Sequence, residues 1–197
     1  MASKKPKIID KWKAKKWYSV VAPSMFDNKE IAEVVATEES NLLNRIVSAS
    51  LMDLGVAGAG HGGMFTKLKF RIKEVKGNTA YTRIIGHMMA SSFLKTLARR
   101  GKSLIHYVVD EKTKDDETVR MKMIAVTGAR VSMNTKKNIR ATIEKEIREL
   151  VKENTYDKLM EDIVYGRATS KLFQKLKKIT MMRRVEIRKT ELTESFK

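Results

Sequence analysis

The stretch "LKFRIKEVKGNTAYTRIIG", residues 68–86, decides the fold class. Leu68, Phe70 and Ile72 alternate with Lys67, Lys69, Arg71 and Lys73, a period of two that belongs to a strand and not to a helix. Gly77 and Asn78 tolerate positive φ angles, so the segment is expected to fold back as a hairpin around a two-residue turn. One side-chain row of its first strand then faces a core, and the other shows a line of cations.

Working outward, similar patterns recur on both sides. "WYSVVAP", "IAEVVAT" and "NRIVSASLMDL" read as strands upstream, and "SLIHYVVDEKTKDDETVRMKMIAVTG" as a second hairpin turning near Asp115-Asp116. Between the hairpins "SSFLKTLARRG" reads as a short helix, with Ser91 or Ser92 as its cap and Gly101 as its stop. About seven short strands between Trp17 and Arg130 predict an antiparallel β-barrel or sandwich.

Beyond Arg130 the period changes. Ile139, Ile143, Ile147, Leu150 and Val151 form one apolar stripe of a long helix. "TYDKLMEDIVYG" predicts a second helix that stops at Gly166. "TSKLFQKLKKI" predicts a third, burying Leu172, Phe173, Leu176 and Ile179 behind an outer stripe of Lys171, Lys175 and Lys178. A last strand, "MMRRVEIRKTEL", alternates Val185 and Ile187 with Arg184, Glu186 and Arg188. The expected fold is therefore α+β: a basic disordered arm over residues 1–16, a single domain over 17–192 (mainly β over 17–134, mainly helical over 135–192) and a tail over 193–197.

Two glycine motifs invite a nucleotide-binding reading. "GAGHGG", residues 58–63, has the spacing G-x-G-x-x-G, but that motif needs a helix after it, because the pyrophosphate rests on free N–H groups at a helix start. A strand follows instead. "RRGKS", residues 99–103, has the order of a P-loop ending, yet its first glycine would fall at Thr96. Gly55, Gly58, Gly60, Gly62 and Gly63 read more simply as a flexible loop, and an enzyme acting on nucleotides through Gly58–Gly63 is the weaker alternative.

Catalytic and metal chemistry find little support. His61, His87 and His106 are far apart, none has a second ligand at metal spacing, and His106 is expected as a satisfied core group. The carboxylates lie beside lysines on helix surfaces, where i,i+4 pairing accounts for them. With no cysteine there is no disulfide, thiolate site or cysteine nucleophile, in keeping with a reducing cytoplasm. The N-terminus lacks the apolar run of a signal peptide, and no membrane partner, cofactor or small-molecule substrate is expected.

Charge is the strongest signal. The formal net charge is +18, of which residues 1–17 hold +6 and residues 166–190 hold +8. Such self-repulsion opposes compaction unless a polyanion neutralises it, and nucleic acid is the natural one. The expected contacts are Lys4, Lys5, Lys7, Trp12, Lys13, Lys15 and Lys16 in the arm; Lys69 and Arg71 on the first hairpin; Arg99, Arg100 and Lys102 at a helix end; Lys136, Lys137 and Arg140 at a helix start; Lys171, Lys175 and Lys178 on a helix face; and Arg183 with Arg184. Cations at a helix start oppose the macrodipole, which makes Lys136 and Lys137 better placed for an external anion than for local stability. The indole of Trp12 can stack on an unpaired base while neighbouring lysines meet phosphates.

"KWYSVVAPSMF" (16–26), "KFRIKEVKGNTAYTRIIGHMM" (69–89), "VTGARVSMNTKKNIR" (126–140) and "VEIRKTEL" (185–192) resemble, in the same order, the S-three-Ae family of archaeal and eukaryotic small-subunit ribosomal proteins. The chain is similar to the shorter archaeal members, and its glycine-rich loop departs from the polar residues of eukaryotic ones. The resemblance implies a β-barrel body with packed helices, seated on the platform of the small subunit near the mRNA exit and the 3′ end of the small rRNA. It also implies small-subunit rRNA and neighbouring ribosomal proteins as partners, with mRNA near the exit, a cytoplasmic, ribosome-associated location, and no catalytic residues. A non-ribosomal RNA- or DNA-binding protein is the alternative.

Overall fold

The computed structural model describes residues 12–56 and 63–194. Among these, eight strands and four α-helices occur: β1 (Lys16–Val21), β2 (Glu30–Ala36), β3 (Ile46–Ser50), β4 (Thr66–Lys76), β5 (Thr79–Met89), α1 (Ser91–Leu97), β6 (Leu104–Lys112), β7 (Thr118–Thr127), α2 (Met133–Glu153), α3 (Tyr156–Val164), α4 (Arg167–Lys177) and β8 (Met182–Thr193). The chain divides into two compact units. The first holds residues up to Val47 with Phe70–Arg83, and the second holds Ser48–Lys69 with Ile84 onward.

In the first unit β1 pairs antiparallel with β2 and parallel with the start of β5. Tyr18, Val20, Ala36, Leu42, Ile72 and Ala80 form its core, with Val34, Val47 and Val75 packed against them. The quoted hairpin behaves as its alternation predicts: Leu68, Phe70 and Ile72 are fully buried, and Lys67 and Lys73 are exposed. Its turn differs in detail. Gly77 takes φ +58°, but Asn78 stays at negative φ, as in hairpin turns that need glycine only at the first central position.

The second unit is built on β7, flanked by β6 and β8 in antiparallel register. From Met123 to Thr127 every residue of β7 is buried, so that end of the strand is covered on both faces. On β6, Ile105 and Val109 are buried on the side where α2 packs, and Tyr107 on the same side donates a hydrogen bond to Glu144 of α2 at 2.5 Å. Ile139, Ile143, Ile147 and Val151 form the buried stripe of α2, each contributing about 2 kcal/mol of apolar transfer. Ser132 caps that helix by accepting the Thr135 N–H. The start of α3 is capped from outside: Asp115, in the β6–β7 turn, accepts the Tyr156 N–H at 3.2 Å. All five apolar residues expected inside α3 are buried.

Several expectations need correction. The strand order β2-β1-β5-β8-β7-β6, with β3 on β4 and β4 on β5, does not return on itself, so the sheet is open and not a closed barrel. Strand count and alternation are the same for both arrangements, which is why the sequence could not separate them. Nor is the sheet wholly antiparallel: β5 is long enough to pair β1 along Thr79–Tyr81 and β8 along Gly86–Met88, and the long connection from β1 to β5 permits a parallel pairing. Trp12–Ala14 form a turn and Lys16 already begins β1, so strand structure starts inside the expected arm. Ala90, not Ser91 or Ser92, stands at the cap of α1, without a side-chain bond. Ile179 is 37% exposed because α4 ends at Lys177, before it, and Phe173 is only half-buried because the buried face of α4 runs through Ala168, Leu172 and Leu176.

The histidine assignment also reverses. His106 is on the exposed side of β6, whereas His87 is 3% exposed. Its Nε2–H donates to the Ile187 carbonyl at 2.8 Å, leaving Nδ1 to accept from the Thr190 hydroxyl at 2.7 Å. Desolvation outweighs the Ile187 hydrogen bond and lowers the His87 pKa to about 4. Next to it the β8 backbone approaches so closely that a Cβ on Gly86 would lie 2.2 Å from the Thr190 carbonyl oxygen.

This junction can be probed in two ways. Gly86→Ala must push β8 away from β5 and should cost about 1–3 kcal/mol or more, read as a lowered urea midpoint at pH 7.5. Because unfolded His87 takes up a proton near pH 6.5 and the folded side chain only near 4, the unfolded state binds more protons between those values. Stability contributed by the neutral ring is therefore complete above about pH 6.5 and falls toward pH 4 by about 3 kcal/mol. Urea titrations from pH 7.5 to 4.5 should show a shallower decline for His87→Gln than for the parent chain.

Candidate nucleic-acid interface

The cationic residues that stand apart in sequence meet in the second unit. Leu104 pairs with Val126 on β7, and Val126 pairs in turn with Arg184 on β8, so the entry to β6 and the start of β8 lie at one end of the three strands. A buried polar clamp fixes that end. Ser103 N–H donates to the Thr127 hydroxyl at 3.0 Å, Thr127 N–H returns a bond to the Ser103 carbonyl at 3.0 Å, and the Ser103 hydroxyl accepts the Val131 N–H at 3.2 Å. Lys102 precedes this clamp directly, so its backbone is held while its side chain reaches outward.

Around it gather Arg99, from the loop after α1, and Arg183 and Arg184 from β8. Arg99, Arg183 and Arg184 line one small recess with Phe93, Thr96, Leu97 and Val126. The Lys102 ammonium is held below its ordinary pKa, first by partial desolvation and then by repulsion from Arg183 and Arg99. A lysine beside two guanidinium groups concentrates positive charge at this end of the sheet. Arg184 is tied down on both sides: its guanidinium lies 5.0 Å over the Phe93 ring, and Nε donates to Glu186 at 2.7 Å. Arg183 and Arg184 also border a cavity of about 500 Å³ under the α3–α4 junction.

The other expected contacts are distributed differently. Lys4, Lys5 and Lys7 lie outside the described residues. Trp12, Lys13, Lys15 and Lys16 are exposed or half-exposed, with the Lys15 ammonium 4.3 Å from the Trp12 ring centroid. Lys69 and Arg71 are only half-exposed along β4, less open than the alternation suggested. Arg100 is exposed beside the cluster in sequence. Lys136, Lys137 and Arg140 occupy the first turns of α2, where Lys136 and Arg140 are partly covered and Lys137 is exposed. Lys171 and Lys178 are on and just beyond α4, and Lys175 of the same helix is engaged by Glu146 of α2.

Two exposed aromatic residues stand outside the expected contacts. Trp17 is 63% exposed on β1 and Tyr81 is 41% exposed on β5. Both lie in strands whose neighbours alternate inward, so their outward parity was available from the pattern around them.

Neither glycine motif is followed by the helix a nucleotide site needs. Most of "GAGHGG" lies outside the described residues, and the strand β4, not a helix, begins at Thr66. After Gly101-Lys102-Ser103 comes the strand β6. No helix among the described residues is long and apolar enough to cross a membrane.

Comparison with known proteins identifies the family. The model of the Ribosomal S3Ae family matches residues 3–195. The chain is 33% identical over 192 residues to the small ribosomal subunit protein eS1 of Methanothermobacter thermautotrophicus, covering 98% of this chain and 97% of that protein. It is 35% identical over 190 residues to the protein of the same name from Sulfurisphaera tokodaii, covering 96% and 97%. From residue 3 to residue 195, therefore, this chain belongs to the Ribosomal S3Ae family, whose members are structural and not enzymatic.

Proposed function

We propose that the chain is a structural component of the small ribosomal subunit that binds rRNA, seated on the platform near the mRNA exit and the 3′ end of the small-subunit rRNA. The observation that carries this reading is the convergence of Arg99, Lys102 and Arg183 at one end of β6–β7–β8, close enough for the two guanidinium groups to lower the Lys102 pKa. The names of the relatives give the class of assembly in which such an anion is found. Arginine there can grip phosphate with two parallel hydrogen bonds, and lysine adds a mobile point charge. Structured RNA is read mainly through backbone phosphates, 2′-hydroxyls and shape, which suits a cluster mounted on a rigid sheet end. Neighbouring ribosomal proteins complete the set of partners, and mRNA near the exit is a further one.

The protein then acts by holding RNA segments in position. Phosphate binding at the cluster relieves the mutual repulsion of its cations, so assembly and local stabilisation are the same event.

Three measurements test this. In a native lysate sedimented through a high-magnesium gradient, the chain should travel with the small-subunit peak; its absence there removes the ribosomal assignment. Binding of the purified chain to small-subunit rRNA should weaken about 10³- to 10⁵-fold between 50 and 200 mM salt if six to ten phosphates are contacted, extrapolating from duplex DNA. Lys102→Ala and Arg183→Ala should each lower the slope of log affinity against log salt by about one, while leaving the thermal midpoint unchanged or raised because a repulsive neighbour is gone. Arg184→Ala should lower the midpoint as well, since it also removes the contacts to Phe93 and Glu186.

A further inference from the structure

We infer that the outer face of the first unit's sheet is a stacking platform for an unpaired RNA strand. This deepens the RNA-binding reading above and rests on it, but it concerns a different surface and a different chemistry from the phosphate cluster.

Pairing register defines the face. Val20 lies opposite Ala80, and both are fully buried, so they point to the core. The residues flanking them, Ser19 opposite Thr79 and Val21 opposite Tyr81, therefore share the outer face. Trp17 has the same parity as Ser19 and sits opposite Val35 of β2. The outer face thus presents Trp17 and Tyr81, separated by about 13 Å along β1, with the partly exposed Val21 and Val35 between and beside them. Two exposed rings on one sheet face offer flat surfaces on which unpaired bases can stack.

Charge names the occupant. Lys13, Lys15 and Lys16 gather at the Trp17 end, and Lys76 lies 5.5 Å from the Tyr81 ring centroid. Three carboxylates share the region: Glu30, opposite Val21; Glu33, opposite Ser19; and Glu74, which is bound to Lys76 at 3.3 Å, against the four lysines. The balance is cationic, and cations placed beside exposed rings suit a strand that offers bases to the rings and phosphates to the lysines. A duplex cannot use these rings, because its bases are already stacked on one another; an unpaired strand can.

The chain has two tryptophans, Trp12 and Trp17, so fluorescence reads the platform directly. In full-length chain carrying Trp12→Phe, titration with an oligoadenylate at low salt should quench Trp17 emission saturably. Trp17→Ala and Tyr81→Ala should each weaken oligoadenylate binding about 5- to 100-fold, measured by anisotropy, while affinity for heparin, a polyanion without bases, stays within about twofold. Both positions are exposed, so folding should survive, which circular dichroism will confirm. Equal oligoadenylate affinity in parent and variants, or equal quenching by heparin, overturns the platform. Loss of oligoadenylate binding altogether, with rRNA binding intact, also overturns it and leaves the ribosomal reading standing. Failure of the chain to bind rRNA, oligoadenylate and heparin alike overturns both.

Discussion

The second unit depends on the contact between β5 and β8 at Gly86, His87 and Thr190. These residues are far apart in sequence, and the pairing brings the C-terminal strand onto a hairpin made early in the chain. Glycine is required there because the Thr190 carbonyl occupies the space a side chain would need. His87 then uses its backbone N–H and both ring nitrogens on β8, so a single residue sets the register of the strand. Burying the imidazole neutral costs less than burying a cation, and its hydrogen bonds offset the desolvation of a polar ring. Register matters beyond stability: a slip of one residue would turn Arg184 from its place beside Phe93 to the opposite face.

Once β8 is fixed, the fold creates an electrostatic arrangement that the sequence alone does not display. Arg99 and Lys102 are remote from Arg183 along the chain, yet they act on one another through space. Concentrating like charge opposes folding, and the unit tolerates it because the Ser103–Thr127 clamp and the buried run of β7 supply cohesion directly underneath. The cluster is rigid on its apolar side and unneutralised on its solvent side. That combination favours a ligand of fixed shape and high negative charge, since little ordering entropy remains to be lost on binding.

Periodicity by itself makes most elements legible. The hairpin of β4 and β5, the stripe of α2 and the interior of α3 all appear where alternation or i,i+4 spacing puts them. What escapes it is non-local. The choice between a closed and an open sheet depends on whether edge strands meet, which no local pattern encodes. His87 and His106 both sit among apolar neighbours, and only the pairing of β5 with β8 decides which one is enclosed. The candidate site was legible as a set of cations but not as a cluster, because proximity across β6, β7 and β8 is a matter of register. The position of Lys175 against Glu146 was likewise hidden, for it depends on how α2 and α4 pack.

The distribution of acid explains why a chain of such high net charge folds at all. On the body of the second unit carboxylates stand where helices and strands need a cation anchored: Glu111 and Glu144 meet Arg148, Glu161 and Asp162 bracket Arg167, Asp110 takes Arg120 in a two-pronged bond, and Glu191 joins Lys122 and Lys189. Each exposed pair is worth less than about 1 kcal/mol, so their importance is not additive stability. Their effect is to cancel charge locally and leave the surplus at particular places. Arg184 marks the boundary between the two regimes, for it is paired with Glu186 like the structural cations and yet adjoins Arg183, which serves the surface. A uniform scatter of the same acids would have lowered repulsion everywhere; pairing them with cations of the body leaves the surplus positive charge concentrated where Arg99, Lys102 and Arg183 meet.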